Sequence, residues 1–134
     1  MTKFLIGLAL ATALALPAAA RTPLNQNAHI TDSLVAGRVG DTIRQTCPSI
    51  SAKLVTAYSK LKELERYARD QGYTEDEVKV FMKDKTEKAR IKVLAAEYLT
   101  KAGAVEGDAE SYCKVGRDEI AKGTLAGSLL RSWK

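Results

Sequence analysis

Two cysteines, Cys47 and Cys113, limit the topologies open to this chain more than any other feature. Two thiols allow a single pairing, and that pairing would hold an early and a late segment together whatever lies between. Whether they pair depends on the compartment, and the first twenty residues, MTKFLIGLALATALALPAAA, bear on that. Lys3 gives a positive start and Phe4 to Leu16 is an apolar run without charge. Pro17 breaks the run, and Ala18-Ala19-Ala20 places small residues where a signal peptidase reads. Residues 1–20 therefore read as a secretory signal peptide cut between Ala20 and Arg21. The run is shorter than the roughly 20 apolar residues a membrane-spanning helix needs. The later uncharged stretch GTLAGSLL, Gly123 to Leu130, is shorter still. The expectation is a periplasmic or secreted protein with no transmembrane segment after processing. In such a compartment an even cysteine count points to a disulfide, the alternative being two free buried thiols. The chain-entropy model gives roughly 4 kcal/mol for closing a loop of this length, against about 5–15 kcal/mol for the stability of a whole domain.

After the leader, residues 21–30, RTPLNQNAHI, are polar and lack periodicity, which predicts an extended lead-in. Residues 31–134 read as a single helical domain. A first helix is expected from Thr31 or Asp32 to Thr46, with Pro48 as its stop. A second runs from Ser51 to Arg69, where Leu54, Tyr58, Leu61, Leu64 and Ala68 recur at steps of three and four. Gly72 ends it. Thr74 followed by Glu77 is a capping box for a third helix over 75–83, with Val78, Phe81 and Met82 turned inward. A fourth helix over 86–102 carries Ala89, Val93, Ala96 and Leu99 on one stripe and stops at Gly103. The third helix either kinks near Asp84 or continues into the fourth. The last helix starts at Asp108 or Ala109. No segment alternates like a strand. The fold class is all-α: a small bundle of about five helices with one disulfide joining the first and last.

The last helix carries glycines at 116, 123 and 127, each costing about 1 kcal/mol relative to Ala in a helix interior. Counted from Cys113, the positions Gly116, Ile120, Gly123, Gly127 and Leu130 follow at steps of three and four, an unbroken seam. Counted back from Cys47, Ile43, Gly40, Ala36 and Ser33 do the same. With the disulfide as origin, the two helices would run antiparallel and place Ile43 opposite Gly116, Gly40 opposite Ile120 and Ala36 opposite Gly123. Small residues at such a seam let helix axes approach more closely than usual. The alternative is local: Lys122-Gly123-Thr124 ends one helix and caps another.

The segments CPSISAK, GYTEDEV, EYLTKAG and GDAESYCKVGRDEIAKGTLAGSLLR together resemble a family of small exported alphaproteobacterial proteins classed only as a domain of unknown function. The resemblance covers most of the chain after the leader and is densest from Cys113 to Arg131. It implies export and the disulfide. It implies no activity or cofactor, and no functional residues carry over. The layout of an exported helical domain with one disulfide is also that of the periplasmic acid-stress chaperones, an analogy of architecture alone.

The formal charge is +5, or +4 without Lys3. In KVFMKDKTEKARIK, Lys79 to Lys92, the cations alternate with Asp84 and Glu87, the pattern of a solvated helix face. Nucleic-acid binders are denser in charge and interleave aromatics, so no nucleic-acid partner is expected, only a weak attraction to anionic envelope surfaces. The one imidazole, His29, is no ligand set and no triad, so neither a metal site nor nucleophilic catalysis is expected. VGRDEIAKGT lacks the ending of a phosphate loop, and no cofactor is expected. The enzyme alternative rests on Glu110-Ser111, a pair like that of lytic transglycosylases. There a buried Glu110 would act as general acid on peptidoglycan. Arg117, Asp118 and Glu119 form either a polar contact for a partner or a solvated face. Trp133 either closes the core or is an exposed anchor. The reading is a non-enzymatic envelope protein that binds a protein partner as inhibitor, subunit or chaperone-like factor, with Arg117 and Trp133 as candidate contacts.

Overall fold

A computed structural model describes residues 21–133. The leader read as a signal peptide, residues 1–20, lies outside the described residues, as does Lys134. The first helix, α1 (Ala28–Thr46), starts earlier than its apolar periodicity indicates. Asn27 accepts a hydrogen bond from the Ile30 amide and caps it. Residues 21–30 are therefore not an extended lead-in: Leu24–Gln26 form a 3-10 turn, and Ile30 is buried. Ahead of the turn, the Arg21 guanidinium forms a two-point ion pair with Glu77 at 2.9 and 3.0 Å and also donates to the Gly72 carbonyl. Tyr73 donates its hydroxyl to the Thr22 carbonyl. A polar stretch can be ordered by such contacts without showing any periodicity.

After α1 the chain forms a three-residue strand, β1 (Ile50–Ala52), and then α2 (Leu54–Asp70). The capping box is present, with Thr74 and Glu77 satisfying each other's amides at the start of α3 (Glu75–Lys83). Asp84 ends α3 in an extended conformation and caps α4 (Lys85–Ala102), accepting from Glu87 at 2.8 Å, so α3 and α4 are separate helices. Gly103, at φ 108°, closes α4. The expected last helix is divided into α5 (Ala109–Lys122), the short α6 (Leu125–Ser128) and a strand, β2 (Leu130–Ser132). β1 and β2 pair antiparallel, with Ile50 opposite Ser132 and Ala52 opposite Leu130. Backbone bonds from Lys53 to Leu129 and from Trp133 to Ser49 flank the pair. The expectation of no strands is corrected here, because three residues are too few to show an alternation.

The all-α class stands, with six α-helices among the described residues. Cys47, the C-cap of α1, is bonded to Cys113 in α5. The main core surrounds this bridge: Val39 and Ile43 from α1, Ile50 from β1, Ala95 and Leu99 from α4, and Val115 from α5. A second cluster gathers Ile30, Ala68 and Tyr73, with Leu64, Val78 and Phe81 half-buried against them. α4 buries Ile91, Ala95 and Leu99, whereas Ala89, Val93 and Ala96 face out. The helix carries two stripes of comparable apolar character, and contact with α1 selects the other one. In α3, Val78 and Phe81 are half-buried while Met82 stays exposed.

Candidate functional site

The small-residue seam survives in one place. A Cβ added to Gly116 would lie 2.8 Å from Ile43 Cγ2 and 2.4 Å from Ile50 Cδ1, so this glycine lets α5 close on α1 as expected. The remaining pairings are corrected. Gly40 faces the Ala126 carbonyl, Leu129 and Leu130 at 3.7–3.9 Å, not Ile120. Gly123 has open space around it and adopts φ +66°, the left-handed conformation of a C-cap. It therefore does not face Ala36. Gly127 packs on the end of its own segment: a Cβ there would meet the Glu119 carbonyl oxygen at 2.0 Å. Ala36 and Ile120 are half-buried against the core. The heptad count assumed one continuous helix, and Gly123 ends it.

A concave site lies between α1 and α2. α2 is tied near both of its ends. His29 packs at a tilt against Tyr67 with ring centroids 4.3 Å apart, Asn27 donates to the Tyr67 hydroxyl at 3.4 Å, and at the other end Lys53 N–H donates to the Leu129 carbonyl at 2.7 Å. Between these ties the helices part around a groove of about 560 Å³, lined by Leu34, Gly37, Leu54, Leu61, Leu125 and Leu129 among others. Leu54 is 75 % exposed, and Tyr58 and Leu61 beside it are exposed as well. The apolar stripe predicted on α2 is real, but its first half covers nothing. Gly37 widens the groove, since a Cβ there would have no atom within 4 Å. The charged groups lining it pair along their own helices, Asp41 with Arg44 at 2.6 Å and Lys60 with Glu63 at 3.0 Å. The groove can accept an apolar group and offers its polar contacts through these paired side chains.

A second polar arrangement lies inside the protein. Glu119, read from the sequence as part of a surface cluster, is 3 % exposed. Its carboxylate accepts from the Tyr98 hydroxyl at 2.8 and 2.9 Å and from the Thr124 hydroxyl. Among the described residues no cation pairs with it. Burial pushes the Tyr98 hydroxyl up to about 12, and the hydrogen bond to Glu119 and the Glu119 charge push it the same way. Thr124 in turn accepts from the Gly127 amide at 3.0 Å and caps α6, so the network joins α4, α5 and α6. Tyr112, Val115 and Glu119 recur at steps of three and four, a stripe beside the one counted from Cys113. That spacing was the available signal for an inward Glu119.

The rest of the cluster faces out. Arg117 donates to Glu110 at 2.6 Å, and Asp118 pairs with Lys114 at 2.7 Å. The Lys114 hydrogen bond holds the Asp118 carboxyl below its ordinary value. The Glu110 side chain is 73 % exposed, without the apolar burial that would raise a general acid. Trp133 is 66 % exposed, with the Arg131 guanidinium 6.0 Å from its ring, and does not close the core. Among the described residues no helix is long and apolar enough to cross a membrane.

A model of one protein family, described as a family of unknown function, DUF5333, matches residues 22–131. No curated protein and no solved structure matches the chain.

Proposed function

The chain belongs to this family of unknown function, DUF5333, and from that premise we propose that it is an exported, non-enzymatic binding protein of the cell envelope. It acts as an inhibitor, subunit or chaperone-like factor and takes an apolar segment of a protein partner into the α1–α2 groove. The observation that carries this reading is the uncovered half of α2. Leu54, Tyr58 and Leu61 stand exposed on a helix whose second half is packed, and Leu54 and Leu61 line a concave wall opposite the space left by Gly37. Contiguous apolar surface in a concavity is the usual sign of a binding site. Export is supported by the leader pattern and by the buried Cys47–Cys113 bond. The absence of catalysis is inferred from Glu110, which is exposed and held by Arg117.

The test places a photo-cross-linking side chain at position 61 in the cell, with and without Gly37→Phe, which fills the groove. A discrete protein adduct that is lost in the Gly37→Phe variant is the expected result. Adducts that persist with the groove filled, or no adduct at all, would overturn the reading. So would turnover of purified cell-wall glycan that disappears in Glu110→Gln, which would establish the enzyme instead.

A further inference from the structure

α4 presents a second surface over its first half, where the line of the helix that Ala95 and Leu99 bury further along is held by the exposed Lys88 and Lys92. Lys85, Lys88 and Lys92 recur at steps of three and four, are exposed, and none is ion-paired among the described residues. Seven residues separate the first from the last, about 10 Å along the axis, comparable to the screening length at 0.1 M salt. The three charges therefore act on a surface together. Beside them on the same exposed side lie Ala89, Val93 and Ala96, with Val93 57 % exposed. Of the two acids in the helix, Glu87 is bound to Arg90 at 2.8 Å, and Glu97 lies one turn beyond Val93, on the edge of this surface farthest from the lysines. The inner face, Ile91, Ala95 and Leu99, is buried in the core.

We propose that the outer face of α4 docks on an anionic phospholipid bilayer, with Lys85, Lys88 and Lys92 on the headgroup phosphates and Val93 at the acyl boundary. The argument is charge complementarity, three exposed lysines within one screening length against anionic headgroups, with a short aliphatic edge of Ala89 and Val93 beside them. The face carries no aromatic side chain on which bases could stack, which argues against a single-stranded nucleic acid as the polyanion. The proposal is independent of the α1–α2 groove.

The purified protein is sedimented with vesicles of equal parts phosphatidylglycerol and phosphatidylcholine, and with vesicles of phosphatidylcholine alone. Binding is expected to the first only, and to vanish near 1 M salt, where screening shortens to about 3 Å. Each lysine changed to Gln should weaken partitioning about fivefold, and all three on the order of a hundredfold. Lys60, Lys62 and Lys122 changed together to Gln remove the same net charge elsewhere and should have little effect. Equal losses in the two triple variants, absence of binding at low salt, or retention on heparin without vesicle binding would each overturn the proposal. A readout that leaves the lysines intact is Val93→Trp in a Trp133→Phe background. Its emission should shift to the blue on the anionic vesicles, and no shift there counts against the docking face.

Discussion

Gly127, Gly116 and Gly37 are three helical glycines with three different surroundings, and their alanine variants should rank accordingly. In Gly127→Ala the new methyl meets backbone, the Glu119 carbonyl at 2.0 Å, so α6 must move off α5. The expected cost is about 3 kcal/mol or more. In Gly116→Ala it meets the ends of Ile50 and Ile43. Overpacking of about 1–3 kcal/mol is there partly offset by about 1 kcal/mol of helix propensity. Gly37→Ala meets nothing and should stabilise by about 0.4–1 kcal/mol. Urea midpoints of the three variants read the order directly, and a Gly116→Ala protein more stable than the parent by about 1 kcal/mol, the full gain in helix propensity, would show that α5 does not close on Ile43 and Ile50. Tyr98 sets a pH dependence at the same scale. Its hydroxyl is raised to about 12 in the folded state from the ordinary tyrosine value of about 10, so folding holds that proton more tightly. The associated stability is fully present below about pH 10 and is lost as pH rises toward 12. Tyr98→Phe should flatten that alkaline limb while lowering stability at neutral pH, because Glu119 loses a donor. Titrated thermal melts of the two proteins test it.

Among the elements, α1, α4 and α5 each place several residues in the core, whereas α2 buries only Ala68 fully. A helix with one packed end and one uncovered end should open locally from the uncovered end. Amide hydrogen exchange is therefore expected to be faster across 55–62 than across 64–70, and slowest in α1. Uniform protection along α2 would mean that its first half is held by contacts this fold does not contain. Several element boundaries were legible from local signals, since the Thr74 and Glu77 box, Gly103 and Pro48 all act within a turn of their own position, whereas the Asn27 cap of α1 sits in a polar stretch whose lack of periodicity hid it. The break at Gly123 was legible as an alternative, since Gly-Thr is also a C-cap followed by an N-cap, but the seam count ran through it. The choice of buried face on α4 was not legible, because two stripes of similar apolar character lie on one helix.

For the molecule as a whole, the Cys47–Cys113 bond closes a loop of 66 residues around the main core. Reduction should raise the intact mass by two hydrogens and lower the unfolding free energy by about 2–5 kcal/mol, read from urea curves with and without reductant. A chain that keeps its stability when reduced would show that the core alone holds α1 against α5. The uncovered groove and the basic face of α4 are also properties of the whole, since each exists only because of what the neighbouring helices leave uncovered. By itself the sequence determined the disulfide, the all-α class, the capping box, the stop at Gly103 and the meeting of Ile43 with Gly116. These follow from covalent pairing, from hydrogen bonds within a few residues, or from helical spacing counted out from the covalent link. The tertiary structure alone decided the β1–β2 pair, the inward Glu119, the contact between Gly127 and α5, and the half of α2 left bare. Each of those depends on which surfaces meet across the chain, and helical periodicity marks an apolar stripe without saying what, if anything, will cover it.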